Sequence, residues 1–149
     1  RIQGIIVAKG NPYKIKNLQD LNNKELNFVN RQKGSGTRIL LDYMLEKEKI
    51  DSSNITGFEN EKNSHLAVSY AIYSGNANVG LGIMSAAKSY NLDFIPLKEE
   101  NFDIVIPKSI LNEKYIEIIL NIINSSKFKK VINNIGGYIT KNTGKEIQL

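Results

Sequence analysis

Short apolar runs alternate along the chain with longer segments that carry apolar residues at helical spacing. The runs at 3–10, 25–30 and 78–83 are rich in Ile, Val, Leu and Phe and are bounded by Gly or Asn, which predicts buried strands. Two further runs, 92–97 and 102–107, are joined by the polar turn KEEN and are also predicted to be strands. Strands that alternate with helices in this way favour an α/β domain with a mostly parallel sheet.

The amphipathic segments predict helices and the faces that those helices bury. One helix is predicted from Thr37 to Lys49. Its apolar face would consist of Ile39, Leu40, Tyr43, Met44 and Leu45. A second helix is predicted to follow a cap at Asn63 or Ser64 and to run to Tyr73. Its inward residues would be Leu66, Ala67, Tyr70 and Ala71. The remaining predicted elements are a single turn at 17–24, a short strand at 55–61, and helices at 85–91, at 112–123 and from 125–126 onward.

The sequence RQKGSGTR at 31–38 separates a predicted strand from a predicted helix and holds more glycines and hydroxyls than a plain turn requires. In an α/β sheet such a loop lies at the carboxyl end of a strand, where ligands bind. It also leads into a helix N-terminus, where N–H groups lack helical partners and the dipole favours negative charge. The loop is therefore predicted to cradle an anion. The candidate groups are the backbone at Gly34 and Gly36, the hydroxyls of Ser35 and Thr37, and the guanidinium of Arg31 or Arg38.

Other interpretations of these polar residues remain open on the residues alone. A hydroxyl of the loop could simply cap the helix while the arginines lie in water, and the Lys-Ser/Thr ending of a nucleotide P-loop is missing. His65, just inside the second predicted helix, could donate a hydrogen bond to an anion or bond a backbone carbonyl instead. Glu59 and Glu61 are interpreted as a solvated rim, and GLGIMS at 80–85 as close packing of a strand against a helix.

Composition narrows the chemistry that this chain of 149 residues can perform. It has no Cys and one His, which excludes disulfides, thiol catalysis and metal sites built from Cys or several His. One His among many hydroxyl residues does not define a Ser-His-acid triad, so no catalytic residue is predicted. The net charge of +5 comes from lysines interspersed with acids, and KFKK at 127–130 is interpreted as a solvated helix face, so we expect no direct nucleic-acid contact.

The apolar runs and the first residues of the chain are informative about where the protein is located. No apolar run reaches membrane-spanning length, so no membrane contact is expected. The chain starts at Arg1 and shows no signal-peptide pattern, and it is expected to be a fragment or a processed product.

Several segments match one known family in order and over nearly the whole chain. They are RIQGIIVAKGNP, FVNRQKGSGTRILLDYML, NSHLAVSYAIYSGNANVGLGI, LDFIPL, FDIVIP and GGYITKNTG. Together they resemble the PBP-like domain family, which comprises type II periplasmic-binding-protein-like domains related to molybdate and tungstate binding proteins. In bacteria and archaea such domains are fused to molybdopterin-biosynthesis domains or to helix-turn-helix regulators. Two departures from the family's pattern, Ser64 for Thr and Lys33 for Arg, keep the hydroxyl and the charge.

The resemblance implies a two-lobed fold that closes on a small ligand, with an incomplete first lobe because roughly the first third of the family domain would be missing. Residues 1–10 would be the hinge strand and first-lobe remnant, and residues 11–103 the ligand-binding second lobe. Residues 104–149 would supply the return strand and first-lobe helices. The incomplete lobe would expose apolar surface, through which a dimer or a domain swap is expected.

The resemblance also implies a ligand and the residues that bind it. By match to the tungstate-binder motif of Arg followed by Ser-Gly-Thr, the ligand residues would be Arg31, Ser35, Gly36 and Thr37, with Arg38 and His65 as further candidates. The expected function is binding or sensing of molybdate or tungstate, with no catalysis and no cofactor or metal. The alternatives are a domain of a molybdopterin-biosynthesis protein that binds a molybdopterin-type anion, or the effector domain of a transcription regulator. The family's fusion partners imply a cytoplasmic location.

Overall fold

The computed structural model describes residues 1–147, which divide into two compact units. One unit is Ile2–Glu99, and the other combines Arg1 with the segment from Glu100 onward. The strands are β1 (Ile2–Val7), β2 (Phe28–Arg31), β3 (Glu61–Lys62), β4 (Val79–Ile83) and β5 (Asp93–Glu99). The helices are α1 (Gly36–Lys47), α2 (His65–Tyr73), α3 (Met84–Ser89), α4 (Lys114–Asn124) and α5 (Ser126–Ile135), with short 3-10 turns at Leu18–Asn22, Ser52–Asn54 and Lys108–Ile110.

The sheet of the first unit is mixed, so the prediction of a mostly parallel sheet holds only in part: β2, β3, β4 and β5 run in one direction, and β1 is reversed. Its strand order is β3-β2-β4-β1-β5. β2 runs parallel to β3 and to β4, whereas β1 runs antiparallel to both of its neighbours, β4 and β5. β1 is the first strand of the chain and inserts, in the opposite direction, between two strands that α3 connects. Local periodicity cannot reveal this insertion, because strand pairing is a long-range choice.

Each face of this sheet packs against its own helical layer. On one face the core includes Ile5, Phe28 and Leu81 with Leu41 and Leu45 of α1. On the other face Ile6 and Val29 pack against residues of α2 and α3. Two glycines of β4 allow the close approach of α2, because a Cβ at Gly80 would lie 2.8 Å from Val68 Cγ1. This confirms the interpretation of residues 80–85 as close packing of a strand against a helix.

The predicted apolar faces of the first two helices are wrong in part. In α1 the side chains of Ile39 and Tyr43 are 60% and 59% exposed. The buried residues of α1 are instead Thr37, Arg38, Leu41 and Leu45. In α2, Leu66 and Tyr70 lie in solvent. The buried residues of α2 are Val68, Ser69, Ala71 and Ile72. Both helices carry apolar side chains on more than one face, so the tertiary contacts select the face that is buried, and in α1 that face includes a buried arginine.

Two predicted strands differ from the structure. The segment 102–107 forms no strand, since none of the described residues pairs with it. A strand needs a neighbour for its backbone hydrogen bonds, and here Val105 is 82% exposed. The predicted return strand at the start of 104–149 is therefore wrong for this structure. The predicted strand at 55–61 shrinks to β3, whose two residues follow a loop.

The segment from Glu100 onward buries little apolar surface among its described residues. α4 and α5 form where the sequence predicts helices, and within residues 100–147 Ile116 is the buried large apolar side chain. Arg1 forms an ion pair with Glu100, and its guanidinium lies 4.9 Å from the ring centre of Phe102. The lobe boundaries implied for 1–10, 11–103 and 104–149 stay a prediction. Among the described residues, no helix has the length and apolar content to cross a membrane.

Candidate functional site

The carboxyl ends of β2 and β3 lie side by side, because these parallel strands pair Asn30 with Glu61 and Arg31 with Lys62. Each strand is followed at once by a loop that enters a helix N-terminus. The loop at 32–35 leads from β2 to α1, and residues 63 and 64 lead from β3 to α2. Two helix N-termini, each with unsatisfied N–H groups and a favourable dipole for anions, thus start from neighbouring strand ends.

Hydrogen bonds fix the backbone of the loop at 32–35. The Gln32 N–H donates to the Lys62 carbonyl at 3.1 Å, and the Ser35 N–H donates to the Gln32 carbonyl at 3.2 Å. The Lys33 N–H donates to Glu61 Oε2 at 3.3 Å. Gly34 has φ +84°, a left-handed conformation that favours glycine. The loop is therefore tied to β3 and turned tightly at one glycine.

The start of α1 contains backbone amides that the described part of the protein does not itself pair. Ser35 caps the helix, since its Oγ accepts the Arg38 N–H at 3.2 Å, which supports the interpretation that a loop hydroxyl is a cap. Within residues 1–147, no acceptor is recorded for the N–H groups of Gly34, Gly36 and Thr37. Gly36 and Thr37 are consecutive, and amides at a helix N-terminus are a common backbone site for an oxyanion.

Arg31 joins the two loops. The residue is only 8% exposed, and its Nε donates to Gln32 Oε1 at 3.1 Å and to the Lys62 carbonyl at 3.3 Å. Its Nη2 donates to the Asn63 carbonyl at 3.3 Å. The guanidinium is thus held by acceptors from both loops, which fixes a positive charge where the two loops leave their strands.

Arg38 occupies a different environment although it follows the loop directly. Its guanidinium lies 4.4 Å from the ring centre of Phe58. Its Nε donates to Asp42 Oδ1 at 2.8 Å and its Nη1 to Glu61 Oε1 at 3.0 Å. These contacts stabilise a buried charge by pairing it with two carboxylates and an aromatic face.

His65 is the first residue of α2 and lies against β4. Its Nδ1 is buried, and a Cβ added at Gly82 would lie 3.5 Å from it. Arg31 approaches the loop before this helix, since its Nη2 donates to the carbonyl of Asn63, two residues before His65. Arg31 and the start of α2 thus lie at the neighbouring ends of β2 and β3.

Two residues of this region have roles that sequence reasoning missed. Asn30 is fully buried, accepts the Arg31 N–H at 2.9 Å and donates to the Phe58 carbonyl at 3.1 Å. In the sequence, Asn30 stands out only as a polar amide that follows the apolar residues Phe28 and Val29. Glu61 is not a simple solvated rim, because it bonds the loop and Arg38. Glu59 does lie in solvent, with a side chain 70% exposed.

Comparison with known sequences places the chain in a family. The PBP superfamily domain model matches residues 1–124. The chain is 37% identical over 147 residues to the uncharacterized protein YvgK of Bacillus subtilis (strain 168), which covers 99% of this chain and 47% of YvgK. It is 37% identical over 108 residues to an uncharacterized Clostridium pasteurianum protein from the 5′ region of a 2Fe-2S ferredoxin gene, which covers 72% of this chain and 96% of that protein. This chain therefore spans about half the length of YvgK.

Solved structures share the fold at low sequence identity. The substrate binding domain of a putative molybdenum ABC transporter from Clostridium difficile superposes with a TM-score of 0.62 at 14% identity, covering 91% of this chain and 62% of that chain. L-phospholactate-bound PEB3 superposes with a TM-score of 0.61 at 21% identity, covering 91% of this chain and 64% of PEB3. An ancestral arginine-binding protein bound to glutamine superposes with a TM-score of 0.54 at 17% identity, covering 92% of this chain and 60% of that chain.

The family model, together with the mixed α/β fold that the solved structures share, defines a domain of the periplasmic-binding-protein type. The chain belongs to the PBP superfamily domain family. The predicted family and α/β fold class are thereby confirmed.

Proposed function

We propose that this domain binds or senses a small oxyanion, molybdate or tungstate, as the ligand-binding domain of a larger protein. The observation that carries the proposal is the group of amides at Gly34, Gly36 and Thr37, which lack acceptors within residues 1–147. Arg31 adds a positive charge at the same strand ends. Backbone amides, a hydroxyl and a guanidinium are the donors that a tetrahedral oxyanion with several acceptor oxygens needs.

The proposed ligand residues are those that the sequence predicts, except Arg38, whose guanidinium is already paired with Asp42 and Glu61. Arg31 would supply charge, Gly36 and Thr37 backbone donors, and Ser35 or Thr37 a hydroxyl. His65 is a further candidate, because it lies at the same sheet edge on the start of α2. The neighbours named for a molybdenum transporter and for bound L-phospholactate support an anion, whereas the neighbour named for bound glutamine indicates that the fold also accommodates amino acids.

The test is calorimetric titration of the full-length protein with molybdate, tungstate, sulfate and phosphate. Loss of a charged donor costs roughly 1.5–3 kcal/mol, so Arg31→Ala is expected to weaken binding about ten- to a hundredfold, and Thr37→Ala is expected to weaken it as well. Lys33→Ala is the matched control, since it removes a positive charge from the same loop but its Nζ pairs with the exposed Glu59 at 3.2 Å. Unchanged affinity in both site variants would mean that the loop begins the helix but does not bind the anion.

A molybdopterin-type anion and the effector domain of a transcription regulator are the alternatives. Absence of binding to all four anions, together with binding of a molybdopterin-type ligand, would favour the first. A helix-turn-helix domain in the same gene would favour the second. We place the domain in the cytoplasm, as the family's fusion partners suggest, and a secretory or lipoprotein signal in the gene would contradict this location.

A further inference from the structure

Two carboxylates flank the anion loop, and they differ in what they contact. Glu59 is 70% exposed and meets only the flexible end of Lys33 among the contacts recorded for residues 1–147. Glu61 has a side chain that is 29% exposed, and both of its oxygens are engaged. Oε2 accepts the Lys33 N–H at 3.3 Å, and Oε1 accepts Arg38 Nη1 at 3.0 Å. Glu61 alone of this pair therefore joins the loop backbone to the first turn of α1.

Arg38 completes this connection from the helix side. Its side chain is 6% exposed and is oriented by Asp42, one helical turn further on, by Glu61 of β3 and by the ring of Phe58. A guanidinium that is held on three sides in this way has little rotational freedom. It fixes the start of α1, which bears the Gly36 and Thr37 amides, relative to β3.

We propose that Glu61 and Arg38 are positioning residues that hold the loop at 32–37 in its binding conformation before the anion arrives. The inference rests on the proposed function of the loop as an oxyanion site. The amides of Gly34, Gly36 and Thr37 can converge on one anion only while the loop keeps its turn. A loop that is ordered in advance spares the ligand the entropic cost of ordering it, so affinity depends on groups that do not contact the anion.

The experiment compares Glu61→Gln with Glu59→Gln in the full-length protein. Amide hydrogen exchange of residues 33–37 is measured without ligand, and molybdate affinity is measured by calorimetry. Glu61→Gln replaces one acceptor oxygen with an NH2 group, which cannot accept a hydrogen bond, and removes the negative charge from the other. We therefore expect faster exchange in the loop and about a tenfold loss of affinity, the size typical of a charge-assisted hydrogen bond. Glu59→Gln should leave both readouts unchanged.

Arg38→Lys separates positioning from direct binding. It keeps the positive charge but loses the guanidinium's two directed contacts. Faster loop exchange before ligand is added, together with weaker binding, supports positioning, whereas weaker binding with unaltered exchange would make Arg38 a direct ligand and overturn the inference. Anion binding by the unsubstituted protein with no effect of Glu61→Gln on either readout would also overturn it. If the unsubstituted protein binds none of the anions while Glu61→Gln still loosens the loop, the proposed function is wrong, and Glu61 then orders the loop without serving anion binding, which also overturns the inference.

Discussion

Single residues around the loop differ in whether the protein already uses their polar groups. The Ser35 hydroxyl caps α1 and the Arg38 guanidinium pairs with Asp42 and Glu61. The amides of Gly34 and Gly36 have no recorded acceptor within residues 1–147. Residues of the first kind contribute to the stability of the loop, and residues of the second kind are the ones that the proposed oxyanion would use.

Alanine at the two loop glycines should separate stability from binding. Gly34 has a left-handed φ of +84°, so Gly34→Ala is expected to lower the free energy of unfolding by about 1–2 kcal/mol. Gly36 starts a helix and a Cβ there meets nothing within 4 Å. Gly36→Ala should therefore leave the free energy of unfolding unchanged or raise it by less than about 1 kcal/mol, while its methyl group weakens anion binding. Urea unfolding and calorimetry measure the two effects, and equal losses of stability would contradict the distinction.

Asp93 gives the molecule a defined response to acid. Its carboxylate accepts hydrogen bonds from Lys9 Nζ at 2.7 Å and from the Gly10 N–H at 2.8 Å, and these lower the pKa of Asp93 below its ordinary value of 3.8. A lowered pKa in the folded state means that this stabilisation is complete above 3.8 and is lost as the pH falls through the lower folded value. Asp93→Asn should therefore flatten the fall of the free energy of unfolding in this range. If the free energy of unfolding of Asp93→Asn falls at low pH as steeply as that of the unsubstituted protein, Asp93 does not cause this acid response.

Individual elements show that an amphipathic pattern defines a helix more securely than it defines the buried face. α2 has apolar residues on several sides, and the close approach permitted by Gly80 brings Val68 into the core. In α1 the stem of Arg38 replaces an aliphatic side chain on the buried face. The face is therefore decided by the shape of the sheet beneath the helix.

Substitutions in α2 should follow the observed face. Val68 is fully buried, so Val68→Ala is expected to cost about 2 kcal/mol through lost burial and a cavity. Leu66 is 52% exposed, so Leu66→Gln should change the free energy of unfolding by less than about 0.5 kcal/mol. Denaturant unfolding of both variants provides the comparison. A larger loss of stability from the Leu66 substitution than from the Val68 substitution would mean that α2 buries the face that the sequence pattern predicts.

On the scale of the whole molecule, apolar surface is distributed unevenly between the two units. The unit Ile2–Glu99 has a core on each face of its sheet. In the other unit, α4 carries an apolar stripe at positions i, i+3, i+4 and i+7 whose members are 40–52% exposed. They are Tyr115, Ile118, Ile119 and Ile122. Exposed stripes of this kind are typical of surfaces that another segment or chain covers.

The chain of 149 residues is therefore expected to self-associate through α4. Ile118→Glu and Ile122→Glu together should shift it toward the monomer, because each places a charge in the stripe. Sedimentation velocity over a range of concentrations measures the shift. Ile39→Glu is the matched control, since Ile39 is also exposed but lies on α1. A monomer at all concentrations would contradict self-association. The dimer or domain swap through an incomplete lobe stays a prediction.

The sequence by itself determined most of the elements, the fold class and the position of the candidate loop. Strands and helices have local periods, and Gly, Ser and Thr between a strand and a helix mark a helix N-terminus wherever they occur. The loop at 31–38 can for this reason be selected from its residue types and its neighbours in the chain alone. The family resemblance added the particular anion, which stays a proposal.

Only the tertiary structure decided the direction of β1 within the sheet, the buried faces of α1 and α2, and the absence of a strand at 102–107 among the described residues. It also separated the two arginines of the loop, since Arg31 bridges two loops and Arg38 is paired with Asp42 and Glu61. These outcomes depend on partners far apart in the chain. Local pattern carries no information about which distant groups come within a few ångströms, and hydrogen bonds, ion pairs and close packing all require that proximity.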